Sequence, residues 1–220
     1  GESIGAAEVN VYYSVEEGAA KENFVKFENV PQAVKIDKTK THEFRTAEEL
    51  LGLAKRRGVR ISELAIQREC ENLGITREEL FSDLKRKKDV MFESVSRGIK
   101  SRENTLAGYA GQAAFLLNGY FSKDGQHLPF DWYMRAATYA MAVAEENARG
   151  HLIVGAPTGG SCGVVPGAFY SFVEMAKAEG RNVPEEDLCT ALFIAQMVGR
   201  IIQSRYTLAG AKGGCQAEIG

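Results

Sequence analysis

The sequence is short of the features that would assign it to a class at once. It has no run of about 18 uninterrupted apolar residues, the length a membrane-spanning helix requires, and no charged-then-apolar signal segment opens it. Neither sign of charge is in surplus: 27 basic and 29 acidic residues leave a formal net charge of −2. The only dense basic run, Lys85-Arg86-Lys87-Lys88, lies in a stretch from Arg77 to Val90 where charged and apolar residues alternate at helical spacing. It reads as a solvated helix face, so neither nucleic acid nor a membrane is expected as a partner. Four cysteines (Cys70, Cys162, Cys189, Cys215) in 220 residues are too sparse for a disulfide framework, which leaves reduced thiols or metal ligands. The three histidines, His42, His127 and His151, stand singly. A cytoplasmic globular protein is the expectation.

What the sequence does have is helix punctuation. Thr46 with Glu49 and Thr76 with Glu79 are capping-box pairs, and Gly58, Gly74 and Gly98 stand where helices end on a left-handed residue. These signals predict helices over about 47–57, 61–73 and 77–97. Further helices are expected over 103–119, from a cap at Asp131 to Arg149 before Gly150, from Pro166 to about Ala178 before Gly180, and from Pro184 to about Gln203. The helix after Asp131 carries Ala136, Ala137, Ala140, Ala142, Ala144 and Ala148, so neighbours can approach it closely on more than one side and it should be central. Residues 1–45 differ. VNVYYSV (9–15) and NFVKFENV (23–30) alternate like strands or extended segments, and 36–44 is polar enough for a linker. The fold class expected is mainly α: a helical bundle over 46–220, interrupted by Gly-rich loops, behind a short extended N-terminal segment.

One such loop, GAPTGGSCGVVPG (155–167), brackets Cys162 with glycine and proline, and AKGGCQAEIG (211–220) does the same for Cys215. A loop of this kind can turn several backbone N–H groups toward one point, and a helix beginning near Val165 adds its positive end. That suits a carboxylate or the sulfurs of a cluster. A Walker phosphate loop is excluded because no Gly-Lys-Ser/Thr follows, and the dinucleotide fingerprint lacks its strand and glycine spacing. On the residues alone, a cysteine in a Gly-rich turn is more often a small buried hydrophobe than a ligand. Cys70 and Cys189 fall at ordinary packing positions in predicted helices and read as structural. His151 is the histidine to watch, since it directly precedes the first Gly-rich loop.

NARGHLIVGAPTGGSCGVVPG (147–167), followed by AGAKGGCQAEIG (209–220), resembles the α chain of the iron–sulfur L-serine dehydratases, and the helical order from Thr46 is similar to that family's. GESIGAAEV at the start is similar, more weakly, to the end of the family's β chain or β domain. Residues 1–45 would then be the tail of a regulatory or structural β-type domain plus linker, and 46–220 an incomplete helical catalytic domain. The resemblance implies a lyase that converts L-serine to pyruvate and ammonia. Its cofactor would be a [4Fe–4S] cluster held by three cysteines, with one open iron acting as Lewis acid on the substrate hydroxyl. Carried over by residue, Cys162 and Cys215 match two of the cluster ligands; the third belongs to a motif beyond Gly220. Backbone donors of Thr158, Gly159, Gly160, Ser161 and Gly163 would hold the substrate carboxylate or stabilise developing charge. The catalytic base is not identified, and the family's Ser-Ser-His-Thr stretch of the β region is absent. A homo-oligomer, or association with a β chain or domain, is implied. The sequence is read as a piece of a longer protein.

The chain departs from the family pattern where it has TLAG twice, at Thr105–Gly108 and Thr207–Gly210, in place of a Ser-x-Ser-Gly element, and where Lys212 replaces a usual acidic residue. The same chemistry on a threonine-like or cysteine-like amino acid therefore stays open beside serine, as does a non-catalytic helical cluster-binding protein. A pyridoxal phosphate lyase is disfavoured, because no lysine sits in an apolar setting beside a phosphate cup.

Overall fold

The computed structural model describes residues 46–106, 111–121, 131–155 and 161–205. Among them are seven α-helices and no strand: α1 (Ala47–Arg57), α2 (Ile61–Leu73), α3 (Arg77–Gly98), α4 (Ala113–Phe121), α5 (Asp131–Ala148), α6 (Val164–Ala178) and α7 (Glu185–Arg205). The mainly α reading holds. The extended segments, linker and domain tail expected before residue 46 lie outside the described residues.

The ends of the helices follow local chemistry. Thr76 Oγ1 accepts from the Glu79 N–H at 3.2 Å while Glu79 Oε2 accepts from the Thr76 N–H at 2.8 Å, a full capping box. Such a cap contributes about 1 kcal/mol. Thr46 Oγ1 likewise accepts from Glu49 N–H, and Gly58 and Gly74 close α1 and α2 in the left-handed conformation. Gly98 does not do this. It is the last residue of α3, and the residue after it, Ile99, is right-handed. A Cβ on Gly98 would fall within 2.7 Å of the Ala142 carbonyl carbon on α5, so the glycine is there for a close helix crossing.

Two packing regimes divide the bundle. Around α1, α2, α7 and the first half of α3, large side chains make the core: Leu50, Leu64, Ile66, Leu84, Phe193 and Met197, with Cys189 buried among them. Cys70 is half-buried against this core, and burial raises both thiols' pKa, in line with structural roles. The Lys85–Lys88 run is spent on ion pairs with Asp83, Asp89 and Glu185 along α3 and across to α7.

Around α5 the contacts are backbone-close. A Cβ on Gly167 of α6 would lie 2.6 Å from Ala140 N and 2.7 Å from Ala136 O, and one on Gly163 would overlap the Ala140 carbonyl. Glycines four apart, Gly163 just before α6 and Gly167 within it, face alanines four apart on α5, and Gly98 of α3 meets Ala142 on another face. The alanine-rich helix is central, as its composition predicts.

The helix expected from residue 103 begins only at Ala113. Residues 101–106 are non-helical because their backbone groups are bonded elsewhere. Leu106 N–H donates to Ala148 O, Glu103 O accepts from Arg149 Nε, and Arg102 O accepts from Gln112 Nε2. The start of α4 is instead capped from another helix, by Glu145 Oε1 accepting from the Ala113 N–H at 2.9 Å.

Candidate active site

Cys162 is 3% exposed, in the turn that leads into α6. Ser161 O accepts from Val164 N–H at 3.0 Å, which closes that turn, and Gly163 follows as the residue before α6. Cys162 packs with Val95 of α3, Tyr139 and Val143 of α5, and Ile153 of the segment after α5, with Ile99 and Tyr170 at the edge. Apolar burial works against a free thiolate, so a ligand role for Cys162 would depend on the charge of the metal itself; the thiol stands two residues before Val164, at the positive end of α6. Of the residues expected to hold substrate, Ser161 is half-buried and Gly163 is buried against α5. Packing against Ala140 accounts for glycine at 163 without a ligand, while leaving the backbone N–H of the turn in place. Thr158, Gly159, Gly160 and Cys215 lie outside the described residues, as do His42, His127, Ala107 and the second TLAG. Among the described residues, no group of three or more His, Cys, Asp and Glu side chains is placed to hold a metal.

Beside this thiol the structure builds something the sequence reading missed, a buried charge cluster at the C-terminal end of α5. Glu146 has its side chain 1% exposed and accepts three hydrogen bonds. Arg97 Nε of α3 donates to Oε2 at 2.7 Å, His151 Nδ1 lies 3.1 Å from the same oxygen, and Arg149 Nη1 donates to Oε1 at 2.9 Å. Burial alone would raise the Glu146 pKa, but the donors from Arg97, His151 and Arg149 outweigh it and hold the carboxyl below its ordinary value. It is therefore an anion that only accepts.

The same groups fasten the neighbouring loops. Arg97 Nη2 donates to Leu152 O at 2.7 Å, pinning the segment that leads to Cys162, and Arg149 donates to Glu103 O and Gly111 O on either side of the first TLAG. An open cleft of about 540 Å³ exposes the edge of this cluster, lined by Ser96, Arg97, Lys100, Glu103, Glu146 and His151 among others. A larger groove of about 900 Å³, with Arg60, Glu63, Cys70 and Arg77 on its walls, belongs to the half built on α1, α2 and α7.

A signal for the charge cluster was present in the sequence. Buried Tyr139, Ala142, Val143 and Glu146 fall at i, i+3, i+4 and i+7, so helical periodicity alone puts Glu146 on the covered face, with Arg149 three residues on.

Comparison with known proteins bears on what this site is for. The family model described as "Serine dehydratase alpha chain" matches residues 56–220. The probable L-serine dehydratase alpha chain of Bacillus subtilis is 32% identical over 177 residues, 80% of this chain and 57% of the relative. The L-serine dehydratase alpha chain of Peptoniphilus asaccharolyticus is 30% identical, over 80% of this chain and 58% of its own. The L-serine dehydratase of Streptomyces coelicolor is 33% identical over 95% of this chain and 44% of its own length. This chain thus spans about half the length of the curated relatives it matches, and on the strength of the family model and these relatives it belongs to the serine dehydratase alpha-chain family.

Proposed function

We propose that this chain forms the helical part of a lyase that eliminates water from L-serine, releasing pyruvate and ammonia, with a [4Fe–4S] cluster as cofactor. The observation that carries the proposal is the setting of Cys162, a dry thiol at a helix N-terminus, in a chain whose relatives are named L-serine dehydratases. Cys162 and Cys215 would supply two of the cluster's thiolate ligands, with the third outside these 220 residues. When bound, the cluster supplies a Lewis acid for the substrate hydroxyl, which is otherwise a poor leaving group.

The chain's own residues supply the rest. The turn at Ser161–Gly163, locked against α5 by the Gly163 contact, presents backbone N–H groups at the positive end of α6 to a substrate carboxylate. The apolar ring of Val95, Tyr139, Val143 and Ile153 keeps water from the thiol. Loss of the α-proton and the β-hydroxyl leaves an enamine, which tautomerises to an imine, and water hydrolyses that to the 2-oxo acid and ammonia. Because two of the relatives are named alpha chains, we propose that a β chain or domain completes the assembly.

The test is 2-oxo acid release from L-serine by the full-length gene product, prepared and assayed without oxygen, beside an air-exposed aliquot and parallel assays on L-threonine and L-cysteine. Air-sensitive release from serine is the expected result. Release only from threonine or cysteine would move the substrate, and its absence from all three with iron bound would leave a cluster-binding protein without this activity.

A further inference from the structure

The proposed reaction needs a group to take the α-proton, and the cleft beside Cys162 holds one. We propose that His151 accepts the α-proton of the substrate at Nε2, with buried Glu146 as the residue that orients it. This rests on the elimination reading above.

Three observations carry it. First, Glu146 is an acceptor only, so the ring nitrogen 3.1 Å from its Oε2 is the protonated one. That fixes the tautomer with Nδ1–H toward the protein and the Nε2 lone pair away from it, the arrangement by which a buried carboxylate prepares an imidazole as a base. Second, Nε2 faces the cleft rather than the core. The His151 side chain is 41% exposed, and the charged group near Nε2 is Glu103, with Oε2 3.8 Å away and a side chain 70% exposed. The other charged groups around the opening are Arg97, which is committed to Glu146 and Leu152 O, Lys100 and Glu93. The opening is wide enough for an amino acid.

Third, the cleft and Cys162 are neighbours by construction. Val95, Val143 and Ile153 pack with Cys162, and Arg97, Glu146 and His151 line the cleft from the same three elements, each two or three residues away. Three helical residues rise about 5 Å, so along α3 and α5 the residues around Cys162 and those lining the cleft are less than one helical turn apart.

In the step itself, the Cα–H bond breaks and its proton passes to Nε2. The electron pair left on Cα becomes the Cα–Cβ double bond as the Cβ–O bond breaks and oxygen leaves with that bond's pair as hydroxide. The imidazolium then returns the proton to the hydroxide, giving water and neutral His151, with no other reactant required.

The experiment compares full-length wild-type and His151→Ala enzymes, both anaerobic and iron-loaded, with His151→Gln as a second variant. The expected result is a kcat reduced by about 100-fold or more, with KM for L-serine and the melting temperature unchanged. Added imidazole should restore at least a tenth of the wild-type rate to His151→Ala but not to His151→Gln, whose side chain fills the space. A kcat within threefold of wild type, a loss that follows KM or melting temperature, or a loss that imidazole does not repair would each overturn the assignment. A wild-type enzyme that releases no 2-oxo acid would instead overturn the elimination reading, so the two failures are distinguishable.

Discussion

The two halves of the bundle use opposite means to hold helices together. In the α1–α2–α7 half, the interior is Leu, Ile, Met and Phe, Glu69 of α2 is the one charged residue buried there among the described residues, and the ion pairs lie outside. In the half built on α5, helices meet backbone to backbone through Gly98, Gly163, Gly167 and alanines, and charges are inside: Glu145, Glu146 and Arg149 are all less than a tenth exposed. Apolar packing is tolerant, because a side chain can shift to accommodate its neighbours. Close backbone contact and a buried, fully bonded carboxylate are not, and they fix positions closely. The loop carrying Cys162 is anchored to the second kind of interior, where placement matters most for chemistry.

The sharpest way to break the comparison is to remove the buried charge. Glu146→Ala leaves buried Arg149 its longer ion-pair contact to Glu145 and takes the carboxylate from Arg97, and breaking a buried pair costs up to about 3–5 kcal/mol. Urea unfolding should read this directly. Its pH dependence has a definite sign. Because the Glu146 carboxyl is held below its ordinary value, its contribution is fully present above about pH 4.5 and is lost as pH falls through the lower folded value. The gap in stability between wild type and Glu146→Gln should therefore narrow as the solution is made more acidic than that.

Next in size are the close crossings. Gly163→Ala and Gly98→Ala push a methyl group into the backbone of α5 and should each cost about 1–3 kcal/mol, or more where α5 does not move. Gly119→Ala is the control within the same half. It lies in α4 with nothing within 4 Å of its missing Cβ, so alanine there should stabilise by about 0.5–1 kcal/mol. If all three glycines responded alike, close approach would not be what organises this half.

These contrasts also separate what the sequence made legible from what it did not. Helices α1, α2, α3, α6 and α7 were readable because their ends are set by neighbours in sequence, such as the Thr76–Glu79 pair or Gly74. The start of α4 was not, since its cap is Glu145, more than thirty residues along the chain. Gly98 looked like a helix stop because a glycine required by φ and one required by a neighbour's backbone are the same letter. Cys162 was flagged by its glycine-rich surroundings, yet at Gly163 the glycine answers to Ala140. The His151–Glu146 pair went unread for a different reason. A charged residue on a helix is by default assigned to solvent, and only the periodicity of its apolar neighbours places Glu146 inside.

Smaller again is the local cap. Thr76→Ala removes one side of a reciprocal pair in the apolar half and should cost about 1 kcal/mol, seen as a lower urea midpoint with an unchanged slope. Activity should be unaffected, since α3 begins about five turns from the residues that meet Cys162.

The smallest effect is expected where the contacts look most numerous. Glu185 receives both Lys85 and Lys88, and its carboxyl is pulled down to about 2 by those two donors. Yet Glu185 and Lys85 stand half in water, with only the Lys88 side chain largely covered, so attraction is screened and ordering three side chains offsets most of what is gained. Glu185→Gln should leave the unfolding midpoint nearly unchanged at physiological salt, while Glu146→Gln, altering a carboxylate held by two arginines and His151 and shut off from solvent, lowers it strongly. Measured side by side, the pair isolates burial as the variable. Equal losses would mean that the surface network holds α3 to α7 as firmly as the inner charges hold α5, and the division between the two halves would not stand.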